Sequence, residues 1–364
     1  MGGNSHDLVA RVLRPDVLAM AGYTVQNPAG MLKMDAMENP HLLPDHLQRE
    51  LGRRLGAVAL NRYPGPRVAQ LRAALMVFAE VPEAYGLMLG NGSDELISLL
   101  ALACAVPGAS VLAPEPGFVM YGFCARLHGL RYHGVPLQED FGLDEAAMLA
   151  AIARYQPALV YLAFPNNPTA NLWDVGVMER VIAAAPGLVV LDEAYQPFAG
   201  RSFMRHLGQF PNVLLMRTMS KFGLAGVRIG YLVGPSALIA QVDKVRPPYN
   251  ISSLNAECAL FALEHADEFA RQAHDIVSQR GELIDALRAL SGVRVYPSDA
   301  NMVLVRVGDG VPGAAERIFE QMKTRGVLVK NVSNMHPLLD NCLRLTVGTA
   351  QQNWAMVLAL GESL

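Results

Sequence analysis

The sequence predicts an α/β fold, a mostly parallel sheet sandwiched by helices, with a smaller α+β domain after it. Three observations carry this. Short apolar runs at 85–89, 109–113, 158–164, 187–191, 212–216 and 227–233 read as buried strands. Helical stretches at 94–106, 143–155 and 175–185 lie between them, and such alternation builds a sheet covered on both faces. Past Pro247-Pro248 the texture changes to a long helical region followed by short strands. These divisions give an N-terminal arm at 1–40, a large domain at 41–248 and a small domain at 249–364.

The arm opens with an amphipathic segment at 6–20 that Pro15 interrupts, too short to bury itself and so expected to pack on another domain or subunit. Residues 34–40 read as extended, and 44–55 as a helix. Asn61-Arg-Tyr-Pro-Gly-Pro66 is a loop whose prolines and glycine forbid regular structure and hold Tyr63 in place. In the last third, helical spacing over 255–290 precedes strands at 293–296 and 301–307, a helix near 313–325, strands at 327–332 and 342–347, and a terminal helix from Gln351.

Bulk properties narrow the function. Among 364 residues, 30 basic and 33 acidic side chains leave a net charge of -3 with no basic block, so nothing advertises nucleic acid. The apolar stretch 96–106 falls short of the roughly 20 residues a bilayer span needs. The four cysteines, Cys104, Cys124, Cys258 and Cys342, have no paired spacing, which argues against a disulfide framework or a thiolate metal site. With no secretory leader pattern at the N-terminus, the expectation is a cytoplasmic protein without a bound metal.

In sheets of this kind ligands gather at the carboxyl ends of the strands, and there the sequence places its chemistry. Gly90-Asn-Gly-Ser-Asp-Glu-Leu96 follows a strand and opens a helix. It reads either as an anion site on free N–H groups or as a helix capped by Ser93. Phe118 or Tyr121 could stack on a flat ring, or serve as core. In Phe164-Pro-Asn-Asn-Pro-Thr-Ala170, Asn167 sits in a turn with its amide available to a ligand oxygen. Asp192 ends the apolar run Leu188-Val-Val-Leu-Asp192. A carboxylate there is costly unless a cation or hydrogen-bond donor meets it, and Tyr195 follows closely. Lys221 lies in a glycine-rich turn between hydroxyls at Thr218 and Ser220 and the cation of Arg228. It is either a loop charge or a desolvated amine able to hold an aldehyde cofactor.

Taken together, Gly92-Ser-Asp-Glu, Asn166-Asn-Pro-Thr, Asp192-Glu-Ala-Tyr195 and the Ser220-Lys221 turn, in this order, resemble the fold type I pyridoxal-phosphate aminotransferases. Leu32-Lys-Met-Asp-Ala-Met-Glu-Asn-Pro40, Arg62-Tyr-Pro64, Arg217-Thr-Met-Ser-Lys221, Gly223-Leu-Ala-Gly-Val-Arg228, Pro248-Tyr-Asn250 and Asn341-Cys-Leu-Arg-Leu-Thr-Val-Gly-Thr349 narrow the resemblance to the histidinol-phosphate aminotransferase family. Two departures stand out. Ala170 replaces the usual glycine, a change expected only to stiffen a turn, and the turn after Lys221 is one residue short.

The resemblance implies pyridoxal 5'-phosphate as cofactor, with Lys221 as its Schiff-base lysine and Asp192 on the pyridine nitrogen. Asn167 and Tyr195 would hold the ring's phenolate oxygen, and Phe118 would cover its face. Ser93, Asp94, Thr218, Ser220 and Arg228 would surround the phosphate, with Tyr63 reaching it from the other subunit of a homodimer. Tyr23, Asn39 and Arg344 would line the substrate pocket, Arg344 binding the anion of histidinol phosphate and of 2-oxoglutarate or glutamate in turn. Within the same fold, the alternatives are an aromatic-amino-acid aminotransferase and a threonine-phosphate decarboxylase. From other classes, a nicotinamide-dependent oxidoreductase is disfavoured because Glu95 occupies the third glycine place of a dinucleotide fingerprint. A non-catalytic regulator on this fold would need an added DNA-binding domain.

Overall fold

The structure is a computed structural model that describes residues 5–20, 22 and 26–364. The described residues divide after Gly30 into two compact units. In the first, helix α1 (Ser5–Val12) ends before Pro15 and helix α2 (Pro15–Leu18) starts on it. Proline is tolerated at a first helical position, where its missing N–H has no partner to lose. Tyr23 lies outside the described residues.

The second unit begins with β1 (Leu32–Lys33), α3 (Asp45–Gly56) and α4 (Pro66–Phe78). An alternating series follows: β2 (Tyr85–Gly90), α5 (Ser93–Ala103), β3 (Ser110–Glu115), α6 (Val119–Leu127), β4 (Arg131–Pro136), α7 (Glu145–Tyr155), β5 (Leu159–Ala163), α8 (Val175–Ala184), β6 (Leu188–Asp192), the single turn α9 (Gln196–Ala199), β7 (Val213–Thr218) and β8 (Gly230–Pro235). These strands form one seven-stranded sheet in the order β2-β8-β7-β6-β5-β3-β4. All are parallel except β8, which runs antiparallel to both neighbours. The exception has a steric cause. A parallel crossover takes a dozen or more residues and usually a helix, whereas β7 is followed only by the short Lys221 turn, so the chain must return the way it came.

After α10 (Ser236–Val242), the expected long helix divides at His265 into α11 (Ser253–Glu264) and α12 (Ala266–Arg288). There follow β9 (Val293–Val295), β10 (Met302–Val307), α13 (Ala314–Thr324), β11 (Val327–Leu328), β12 (Lys330–Asn331), β13 (Cys342–Thr346) and α14 (Ala350–Gly361). Strands β12-β13-β10-β9 make an antiparallel sheet, and β11 pairs with β1. Residues 31–40 are thereby tied into this unit: Met34 and Met37 are buried, and Asn301 Nδ2 donates to the Met37 carbonyl at 2.9 Å.

Two apolar layers sandwich the large sheet, one carrying Leu71, Leu112, Val160, Val189 and Leu215, the other Leu96, Val111, Leu159, Val190 and Leu214. The alternation of neighbours such as Leu159 and Val160 between faces is the period of a strand buried on both sides. Strand β4 and helix α4 lie outside the runs recognised in the sequence. Strand β4 is an edge strand that buries only Val135, so its sequence shows no apolar run.

Candidate active site

Register brings the chemistry together. Ala163 pairs with Asp192 and Asp192 with Met216, while Gly230 pairs with both Gly90 and Thr218. The segments leaving β2, β5, β6 and β7 therefore all emerge at one edge of the sheet. There a cavity of about 120 Å³ is lined by side chains that include Ser93, Asp94, Phe118, Tyr121, Asn167, Asp192, Tyr195, Thr218, Ser220, Lys221 and Arg228.

One end is built for an anion. Gly92 adopts φ 81, and α5 starts at Ser93 with no side-chain cap. Ser93 is thus the first helical residue and not the cap, which corrects the capping alternative. Glu95 serves the preceding loop instead, accepting from the Asn91 N–H at 2.7 Å and from Asn250 Nδ2 at 2.7 Å. Arg228, held at φ 55, lies against this helix start. A Cβ on Gly92 would sit 2.6 Å from its guanidinium, and one on Gly230 would sit 2.7 Å from the Ser93 nitrogen. Arg228 reaches Asp94 at 3.2 Å and Ser220 Oγ at 3.4 Å. Thr218 Oγ1 accepts from the Ser220 N–H at 3.1 Å and donates to the Ile229 carbonyl at 3.2 Å, which clamps the turn shut. Helix dipole, open N–H groups, hydroxyls and guanidinium make a site for a phosphate-sized anion.

The other end is buried. Asp192 is 5% exposed and accepts from Tyr121 Oη at 2.7 Å and from the Ala194 N–H at 3.0 Å. Its neighbour Glu193 has a cation, Arg217 at 2.8 Å. Asp192 has none among the described residues, and burial pushes its carboxyl up to about 6. A flat cationic donor in the cavity would supply what it lacks.

Between the two ends, Lys221 Nζ donates to the Ala36 carbonyl at 3.1 Å and lies 5.8 Å from the centre of the Tyr195 ring. Burial, followed by the positive field of Arg344, lowers the amine to about 8. The turn that presents it needs its glycine: Gly223 has φ 134, and a Cβ there would meet Phe269 at 2.8 Å and Asn39 at 3.0 Å. Asn39 is held by Gln272 at 2.8 Å behind this turn and does not line the cavity.

Asn167 is more committed than the sequence suggests. Its Nδ2 donates to Tyr195 Oη at 3.1 Å and its Oδ1 accepts from Arg344 at 2.7 Å. Arg344, buried, also donates to the Asp35 carbonyl at 2.8 Å. Phe118 lies edge-on to Tyr121, with ring centres 5.6 Å apart. Tyr63 stands apart from the cavity, 79% exposed and stacked on Tyr249 at 4.6 Å. Ala170 adopts φ 66 while fully buried. The alanine therefore does more than stiffen its turn: it holds a conformation that favours glycine. Two features had no signal in the sequence, the Tyr121 hydroxyl on Asp192 and the Ala36 carbonyl on Lys221.

A buried carboxylate without a cation, a depressed lysine and an anion cradle around one cavity are what a phosphorylated pyridine aldehyde requires, so the residues fit the cofactor expected from the sequence. The chain belongs to the aminotransferase class I and II family, whose profile matches residues 29–360. More narrowly, it is similar to the histidinol-phosphate aminotransferase of Methylibium petroleiphilum, with 64% identity over 355 residues that cover 97% of this chain and 94% of the relative. The histidinol-phosphate aminotransferase of Polaromonas naphthalenivorans is 62% identical over 357 residues, covering 97% and 96%. Among solved structures, the histidinol-phosphate aminotransferase of Sinorhizobium meliloti in complex with pyridoxal-5'-phosphate aligns with a TM-score of 0.84 at 26% identity, covering 97% of each chain. No helix among the described residues is long and apolar enough to cross a membrane.

Proposed function

We propose that this enzyme transfers the amino group of L-histidinol phosphate to 2-oxoglutarate, giving imidazole-acetol phosphate and L-glutamate, a step of histidine biosynthesis, in two half-reactions at one site. The observation that carries the substrate is the 64% identity to a histidinol-phosphate aminotransferase across nearly the whole chain.

Pyridoxal phosphate supplies an aldehyde that takes up amines and a protonated pyridine ring that accepts the electron pair of a broken Cα–H bond. Lys221 would hold the aldehyde carbon, and Asp192 the proton on the ring nitrogen. Asn167 and Tyr195 would hold the phenolate oxygen, with Phe118 over the ring. Ser93, Asp94, Thr218, Ser220 and Arg228 would surround the phosphate. Released from the aldehyde carbon when the substrate's amine takes its place, Lys221 is a free amine lowered to about 8 and so partly neutral near pH 8, and Nζ can take the proton from the substrate's Cα and return it in the reverse direction. Arg344 would turn from Asn167 and the Asp35 carbonyl to bind the anion of each substrate in turn, a task its planar fork suits.

A homodimer belongs to this reading, in which the exposed Tyr63, outside its own chain's cavity, would reach the phosphate of a second copy. We read the division of the chain as an arm at 1–40, a cofactor domain at 41–248 and a small domain at 249–364. We place the enzyme in the cytoplasm, in keeping with its four free cysteines.

Mixing the cofactor-loaded enzyme with histidinol phosphate, phenylalanine or threonine phosphate, and following loss of its absorption band, tests the substrate. Histidinol phosphate should react fastest. Reaction with phenylalanine alone, or release of carbon dioxide from threonine phosphate, would move the assignment to the corresponding relatives.

A further inference from the structure

The two carboxylates ending β6 are treated differently. Glu193 is neutralised by Arg217, with Ser202 Oγ at 3.0 Å and the Phe203 N–H at 2.5 Å completing its shell. Asp192 receives one backbone N–H and one phenol. That phenol belongs to Tyr121, in the first turn of α6 and 71 residues away in sequence. Its ring is fixed on both sides, parallel to Tyr161 with centres 4.3 Å apart and 8° between planes, and edge-on to Phe118. A ring gripped this way has little freedom to turn its oxygen from the carboxylate.

We infer that Tyr121 is a positioning residue for the transamination: by donating its hydroxyl to Asp192 it keeps that carboxylate ionised and aimed into the cavity, and so sustains the proton on the cofactor's ring nitrogen. The inference rests on the cofactor reading given above. Burial, Asp94 and Glu193 favour the protonated acid, and the Tyr121 hydroxyl, ahead of the Ala194 N–H, opposes them. Tyr195 faces the same carboxylate. Burial and the Asp192 charge hold the Tyr121 phenol far above its usual range, so it remains a donor at every working pH.

The variant Tyr121→Phe removes one oxygen and leaves the stack. The Tyr161→Phe variant is the control, because the Tyr161 hydroxyl is buried with no hydrogen-bond partner among the described residues and so donates no bond to Asp192. Each enzyme is loaded with pyridoxal phosphate labelled with nitrogen-15 in the ring, and the nitrogen resonance is followed against pH. In Tyr121→Phe the midpoint for loss of the ring proton should fall by about one to two pH units, the worth of a hydrogen bond to a charged group. Over the same range kcat should fall about 10- to 100-fold with KM little changed, while Tyr161→Phe behaves as wild type. An unchanged midpoint in Tyr121→Phe, or an equal shift in both variants, overturns the role assigned to Tyr121. If the wild-type protein takes up no labelled cofactor, or takes it up equally well as Lys221→Ala, the cofactor reading itself fails and the inference with it.

Discussion

The two ends of the cavity are built on opposite terms. At the Asp192 end each polar side chain is buried and held at short range: Tyr121 to Asp192 at 2.7 Å, Arg344 to Asn167 at 2.7 Å and Asn167 to Tyr195 at 3.1 Å. At the Arg228 end the bonds are longer, 3.2 Å to Asp94 and 3.4 Å to Ser220, and Arg228 and Asp94 are nearly half exposed. Water screens an exposed ion pair to within about 1 kcal/mol, so the Arg228–Asp94 bridge contributes little and can exchange for a better anion. The buried end cannot relax that way. Burial displaces the proton affinities of Asp192, Tyr121 and Tyr195 there, and the exposed end grips while the buried end sets the chemistry.

Lys221 joins the two ends, and its loss should have the largest effect. Lys221→Ala should lower transamination by at least about 100-fold and toward 10⁴-fold, the range of a positioned general base. It should also abolish the absorption band of the lysine-bound cofactor. Retained activity at the wild-type level would dissolve the comparison, since neither end would then serve a common centre.

How much of this was legible in the sequence follows the same division. The exposed end is written in local signals. Gly90-Asn-Gly92 before a helix, and hydroxyls with an arginine around a glycine turn, act through contiguous backbone, so short motifs reveal them. The buried end is written in separations. Tyr121 meets Asp192 across 71 residues, Arg344 meets Asn167 across 177, and Lys221 meets the Ala36 carbonyl across 185. Asp192 was conspicuous as a charge ending an apolar run, but which donor satisfies it depends on sheet order, and no spacing carries that. The capping role considered for Ser93 failed for a local reason: Gly92 takes the cap position at φ 81. Strand β4 carries no apolar run because an edge strand need bury little.

Next in size is the grip. Arg228→Ala should raise the dissociation constant of pyridoxal phosphate about 10- to 100-fold, from the loss of charge-assisted bonds worth about 1.5–3 kcal/mol. Enzyme saturated with cofactor should turn over close to the wild-type rate. Equilibrium titration of the cofactor-free protein separates the two quantities. A large fall in kcat at saturation would show that the exposed end also sets chemistry.

The proton affinity of Asp192 can be read as stability in the cofactor-free protein. Burial raises its carboxyl from 3.8 to about 6, so between those values the native state holds a proton that the unfolded chain has released. Stability from this group is full below about pH 4 and is lost as pH rises through about 6. With about 1.4 kcal/mol per unit, that amounts to roughly 3 kcal/mol. Comparing wild type with Asp192→Asn by urea unfolding at several pH values isolates it: the wild-type advantage should shrink from pH 4 to pH 7. A difference independent of pH would mean that Asp192 is ionised throughout and that the buried end is less perturbed than its geometry implies.

The smallest effect concerns the turn that carries Asn167 into the buried end. Ala170 closes this turn at φ 66, fully buried, its N–H donating to the Asn166 carbonyl at 2.9 Å and its own carbonyl accepting from the Asp299 N–H at 2.8 Å. A left-handed alanine costs about 1–2 kcal/mol that glycine would not incur. Against this, Ala170→Gly removes a buried methyl worth about 0.8 kcal/mol and adds about 0.5–1 kcal/mol of unfolded-chain entropy. The terms nearly cancel, so stability in urea should change by less than about 1 kcal/mol, and kcat should stay within about twofold because both backbone bonds survive the change. A loss beyond about 2 kcal/mol would show that the methyl is a packing element of the buried end. A fall in kcat at unchanged stability would show instead that the strained alanine fixes Asn167 against Tyr195 and Arg344, so that the buried end draws part of its order from a residue outside its own hydrogen-bond network.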